Sequence, residues 1–157
     1  MSLRNWIHVP AAPRTLILAA LPFVQACAAG PSPEADNAAI QALIAEHYVD
    51  AVFSSRDEAS VRSAFHPGFQ LFALDDGTLL MVSLDAWMDH LELDGVPDTT
   101  EVRHEVVFVD VSGDAAVART ELFVGGEHVY TDYFSLYRVP GSGWQVVSKI
   151  FQSHDDD

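Results

Sequence analysis

Residues 101–152 form four strand-length runs separated by three short breaks, and this pattern constrains the chain more than any other. The runs are 101–112, 115–124, 128–139 and 144–152. The breaks are Gly113-Asp114, Gly125-Gly126 and Pro140-Gly141-Ser142-Gly143. Breaks of two to four residues are too short for a crossover, so each run must pair antiparallel with the next, as a meander. Both faces of that meander are apolar. In the third run Tyr133 and Tyr137 alternate with Phe134 and Leu136, and in the last Val146 and Ile150 alternate with Val147 and Phe151. An antiparallel sheet with two apolar faces needs cover on both. Helices from the same chain can supply one cover. A second copy of the chain is the simplest second cover, so a homodimer packed sheet against sheet is expected.

The segment before residue 101 supplies the helices. Ile40, Leu43, Ile44, His47, Tyr48, Ala51 and Val52 recur at spacings of three and four, which predicts one helix from Ala35 to Ser54. Glu34 and Asp36 give its start the negative charge that a helix N-terminus favours. A second short helix is predicted from Asp57 to Phe65, stopped by His66-Pro67-Gly68. Residues 69–74 and 78–82 read as a hairpin closed by Asp75-Asp76-Gly77. Ser83 reads as the N-cap of a third helix ending at Leu91, and residues 94–100 as a loop. The fold class expected is α+β: three N-terminal helices packed on a curved, mainly antiparallel sheet made of a small hairpin and a four-strand meander.

A chain of 157 residues defaults to one domain. Residues 1–27 read as a signal peptide or lipoprotein signal. Arg4 and Arg14 precede an apolar run from Thr15 to Val24, and small residues follow it. That run is too short for a stable bilayer span. Cys27, the only cysteine, rules out an intramolecular disulfide and stands where a lipidated residue would stand. Cleavage after Ala28 is the competing reading. Residues 28–35 form a linker, 36–152 the domain and 153–157 an acidic tail. An exported protein, periplasmic or lipid-anchored, follows from this reading. The net charge of -15 argues against nucleic acid and against electrostatic docking to anionic membranes.

Lys149 is the only lysine, set in the apolar last run of a chain with 23 Asp and Glu. Two readings stay open for it. It is either a cationic or basic group in a pocket, or half of a buried pair with Asp132 on the neighbouring run. Asp132 is correspondingly a general base or a counter-ion. Tyr48, on the helix face that meets the sheet, can present its hydroxyl to a ligand or pack in the core. Trp87 and Phe134 complete the candidate ligand-binding set. His47, His66 and His104 lack metal-ligand spacing, and no cofactor or metal motif is read.

Several segments carry a resemblance. They are Tyr48, Phe65-His66-Pro67, Asp76-Gly77 with Ser83, Gly113 to Val117, Thr131 to Leu136 and Trp144 to Phe151. Together they resemble the cone-shaped nuclear transport factor 2-like superfamily, and within it the bacterial branch named "putative lumazine-binding". The resemblance spans roughly residues 36–152 and implies a pocket at the open end of a cone, between the first helix and the sheet. A small, planar organic ligand is the expected partner. Enzymes of this shape move a proton with a carboxylate or His, helped by a hydrogen-bond donor. Tyr48 falls where ketosteroid isomerase has its oxyanion-binding tyrosine. That enzyme's aspartate would fall at Ala73, with Asp75 two residues beyond. A small lyase or isomerase using Asp132 and Tyr48 is the alternative to simple binding, and a ligand-free envelope partner module is a third.

Overall fold

The computed structural model describes residues 32–154. The apolar run, Cys27 and Asp155-Asp156-Asp157 lie outside the described residues. Ser32 caps the first helix, its hydroxyl oxygen accepting from the Ala35 N–H at 3.2 Å, and Pro33 fills the first helical position. Helix α1 (Pro33–Ile44) then widens into a π-helical segment, Ala45–Ser54. Helix α2 (Glu58–Ala64) is capped by Asp57. Strands β1 (Phe65–Asp75) and β2 (Thr78–Ser83) form the hairpin, closed through Asp76 and Gly77 at φ 47° and 78°. Helix α3 (Leu84–Leu91) starts on the Ser83 cap and stops at Glu92, which adopts a left-handed conformation. Strands β3 (Val102–Ser112), β4 (Ala115–Val124), β5 (Glu127–Val139) and β6 (Gly143–Ser153) are the meander.

All six strands join one sheet in the order β2-β1-β6-β5-β4-β3. Every pairing is antiparallel except β1 with β6, which is parallel and fastens the hairpin to the end of the meander. The helices cover one face. Ile40, Ile44, Tyr48, Val61 and Phe65 bury against Leu122, Phe134, Leu136 and Val146. Each such side chain contributes about 1.5–3 kcal/mol through burial.

Three expectations change. First, the three helices do not group at the N-terminal side of the sheet: α3 follows the hairpin, where the Ser83 cap predicts it, and α1 with its π extension and α2 precede the strands. Second, β1 begins at Phe65, because the His66-Pro67-Gly68 stretch continues as irregular extended chain. Its register slips between Phe65 and Gln70, and the Gly68 N–H donates to His66 Nδ1 at 3.0 Å. Third, the π segment alters the buried face. Bonding to i+5 places Val49 in the core with Tyr48, while His47 sits half-buried beside α2, its Nδ1 2.9 Å from Ser60 Oγ.

Candidate functional site

Lys149 reaches the inner face because β6 carries a bulge. Ser148 lies opposite Ser135, yet Val146 lies opposite Leu136, so Val147 is the extra residue. Simple alternation would group Lys149 with Gln145 and Val147. The bulge groups it instead with Trp144, Val146 and Phe151, on the same face as Phe134 and Leu136. A one-residue slip of this kind exchanges the faces of a strand.

Three polar side chains meet there, almost wholly removed from solvent: Asp132 is 0% exposed, Tyr48 1% and Lys149 5%. The Tyr48 hydroxyl donates to Asp132 Oδ2 at 2.7 Å and accepts from Lys149 Nζ at 2.5 Å. Lys149 Nζ also lies 2.6 Å from Asp132 Oδ1. The ammonium is boxed by rings, 4.5 Å from the centroid of Tyr48, 5.3 Å from Phe151 and 5.7 Å from Trp87. At these separations the ring faces attract the cation. Tyr48 is itself held by aromatic contacts to Phe134, Phe53, Phe65 and Trp87.

Burial pulls the Lys149 ammonium below the usual lysine range, and the charge of Asp132 opposes this without cancelling it. Burial also pushes the Tyr48 hydroxyl well above the tyrosine range, reinforced by the Asp132 charge and hydrogen bond. Both shifts follow from charging a group in a low-dielectric interior.

Tyr48 and Lys149 form the floor of a cavity of about 510 Å³. Its walls are Val52 and Phe53 of the π segment, Leu71, Ala73, Leu80 and Val82 of the hairpin, Trp87, His90 and Leu91 of α3, and Tyr130 and Phe151 of the meander. Tyr48, Lys149 and Trp87 of the predicted set line it. Asp132 and Phe134 do not: Asp132 stands behind Tyr48 and Lys149, and Phe134 packs against the Tyr48 ring. Among the described residues, no carboxylate occurs in the lining. Ala73 does line the cavity where the isomerase comparison would put an aspartate, and Asp75 is exposed in the hairpin strand end. Sequence reasoning passed over His90 and Leu91, although Trp87, His90 and Leu91 at spacings of three and four share one face of α3. It also passed over Phe151, two positions beyond Lys149 on the same face.

A second polar group occupies the outer face. Ligand atoms of Glu121, His128 and His154 lie within 4.8 Å of one another, so they could hold a cation. The same atoms are engaged in other bonds. Glu121 Oε2 accepts from the Thr131 hydroxyl at 2.5 Å and contacts His128 Nε2 at 2.8 Å, while Arg119 pairs with Oε1. Burial pushes the Glu121 carboxyl up, but the bonds from Thr131, His128 and Arg119 outweigh it and hold the group low. His47, His66 and His104 lie apart from this group.

The family model described as "Putative lumazine-binding" matches residues 35–152. The chain belongs to that family. Among curated proteins, Aldolase FrzH from a Cladobotryum species is 27% identical over 108 residues, covering 68% of this chain and 83% of the relative. Among solved structures, an NTF2-like protein of unknown function from Shewanella baltica OS155 superposes with a TM-score of 0.69. It is 25% identical, and the match covers 81% of this chain and 100% of that one. A second NTF2-like protein of unknown function, from Silicibacter pomeroyi DSS-3, gives a TM-score of 0.63 at 25% identity, covering 74% and 94%. The nuclear transport factor 2-like superfamily assignment therefore holds for this α+β chain.

Proposed function

We propose that the protein binds a small, flat, largely apolar organic molecule in the cone, with one polar end against Tyr48 and Lys149. The observation that carries this reading is the cavity itself. It has the size of a small-molecule site and largely apolar walls, and two of its polar side chains, Tyr48 and Lys149, meet in its lining. The neutral fluorescent probe N-phenyl-1-naphthylamine tests it. Saturable, one-to-one binding is expected, with loss in Ala73→Phe at unchanged melting temperature, since Ala73 projects into the cavity rather than the core. Equal binding by wild type and Ala73→Phe would place the probe elsewhere and sink the reading.

A second reading, a lyase or isomerase, is favoured by the relative named as an aldolase together with a buried lysine at the cavity floor. Asp132 would then act through Tyr48 and Lys149, because it does not touch the cavity space. Export directed by residues 1–27 completes the proposal. Mass spectrometry of the mature N-terminus distinguishes a diacylglyceryl-modified Cys27 from a free Ala29. A second copy of the chain covers the outer sheet face.

A further inference from the structure

We propose that Lys149 forms an imine with the carbonyl carbon of an aldehyde or ketone held in the cavity, with Tyr48 passing protons and Asp132 storing them. This rests on the cavity being a ligand site.

The charge count favours a carbonyl over an anion. Asp132 already neutralises Lys149 at 2.6 Å, and the cavity lining adds no Arg or second Lys. An anionic ligand would therefore meet no uncompensated lysine or arginine charge, inside a chain of net charge -15. A neutral carbonyl carries no such penalty, because only uncompensated charge is costly in an apolar interior. The position of the nitrogen fits the same role. Lys149 lines the cavity, and its Nζ lies 4.5 Å, 5.3 Å, 5.7 Å and 6.0 Å from the rings of Tyr48, Phe151, Trp87 and Tyr130, which line it too, while the residue is only 5% exposed; a ligand held among these rings is beside the nitrogen and bulk water scarcely is. Its polar contacts to Tyr48 Oη and Asp132 Oδ1 are with groups that can take and return a proton. The downward pull of burial on the ammonium further raises the share of free amine, the form that attacks.

The step balances within these three residues. Asp132 takes one proton from the ammonium. The free amine adds to the carbonyl carbon, forming the C–N bond as the C=O π pair moves onto oxygen. That oxygen takes a proton from the Tyr48 hydroxyl, which recovers one from the new C–N nitrogen. The carbinolamine oxygen then leaves as water, taking the proton stored on Asp132 by way of Tyr48, as the nitrogen pair closes the C=N bond. Two of the three ammonium protons depart with the oxygen and one stays on nitrogen. The iminium keeps the positive charge, so Asp132 remains its counter-ion and no net charge is created in the interior.

Because Lys149 is the only lysine, the test is read without ambiguity on the unmodified protein. Wild type is incubated separately with cinnamaldehyde and with propanal in the presence of sodium cyanoborohydride, and the alkylated amines are located by peptide mass mapping. The expected result is near-stoichiometric alkylation of Lys149 with at least one of the two aldehydes, ahead of the chain's N-terminal amine. Tyr48→Phe should slow it by about a hundredfold, the lower range for loss of one acid–base group. Lys149→Arg, which keeps the cation for Asp132, should fold by circular dichroism and take up aldehyde only at the N-terminus. Alkylation of wild type confined to the N-terminus with both aldehydes overturns the imine, whatever the naphthylamine probe does. Failure of that probe to bind instead overturns the cavity reading, so the two failures are separable.

Discussion

Asp132 and Lys149 stand on neighbouring strands without facing each other: Asp132 lies opposite Phe151, and Lys149 opposite Phe134. The pair therefore runs diagonally across the ladder, and the Tyr48 hydroxyl from the π segment joins it from the helix side. The diagonal matters because it leaves Lys149 nearer the cavity and Asp132 behind it. Scaffold and pocket are then not alternatives for this pair. The carboxylate serves the scaffold, and the amine serves both.

Removing one partner separates these roles. Asp132→Asn leaves an ammonium in an apolar box with no counter-ion, a change that costs about 3–5 kcal/mol for buried pairs. Chemical denaturation at pH 7 should show that loss. Because the unpaired amine can escape the cost by losing its proton, the deficit should shrink as pH rises toward 10. The double change Asp132→Asn with Lys149→Met removes both charges and should cost less than the single change. A single variant as stable as wild type at pH 7 would mean that the pair is not a buried ion pair in solution.

Tyr48 gives an alkaline signature. Its folded-state pKa is raised above the unfolded value of about 10, first by burial and then by the Asp132 charge. The fold thus prefers the protonated hydroxyl. The stability this contributes is fully present below about pH 10 and is lost as pH rises from there toward the folded-state value. Lys149 has the opposite sign: its lowered pKa makes stability rise with pH up to the unfolded lysine value of about 10.4. Tyr48→Phe removes only the first effect. Above pH 10 its melting temperature should fall less steeply than that of wild type, and parallel curves would refute the assignment.

The meander, the hairpin and the helix caps were legible because they rest on local chemistry. Gly113, Gly125 and Gly126 adopt the left-handed conformations their turns require, and Ser83 accepts from the Ala86 N–H as a cap should. Two features escaped because they break a period. The bulge at Val147 swaps the faces of β6 at its midpoint, so alternation placed Lys149 with the wrong neighbours. The π segment exchanges Val49 for His47 in the core, which no α-helical spacing anticipates. Both faults lie at the site itself, since one orients Lys149 and the other carries Tyr48. Glu121, His128 and His154 escaped for another reason: two strands and the residue just past the end of β6 bring them together, and their spacing along the chain contains no sign of it.

The start of the fold has an acid-sensitive clamp. Asp36 accepts from Arg138 Nη2 at 2.6 Å and from the Trp144 indole at 3.3 Å, tying α1 to β5 and β6. The hydrogen bond from Arg138 is the main reason its carboxyl stays below the ordinary aspartate value. Its contribution is therefore present above pH about 4 and is lost as pH falls through the folded-state value. Asp36→Asn should be less stable than wild type at pH 7, and the gap should close on acidification. A gap of constant size from pH 7 to pH 2 would show that the clamp owes nothing to charge.

The outer sheet face carries an apolar patch. Phe108, Val117, Tyr133, Tyr137 and Ile150 are each at least two-fifths exposed there, and Phe108, Val117, Tyr133 and Ile150 line a shallow depression. These residues come from four adjacent strands, so they form one surface rather than scattered apolar points. A two-fold dimer needs a self-complementary patch of roughly 800 Å² per partner, centred on such a depression. Light scattering of wild type should give twice the chain mass. Ile150→Glu places a charge at the middle of the patch while its side chain points away from the core, so it should give the single-chain mass with unchanged circular dichroism. A monomeric wild type at high micromolar concentration would remove the dimer, and leave the inner-face site untouched because no residue of the cavity floor lies on the outer face.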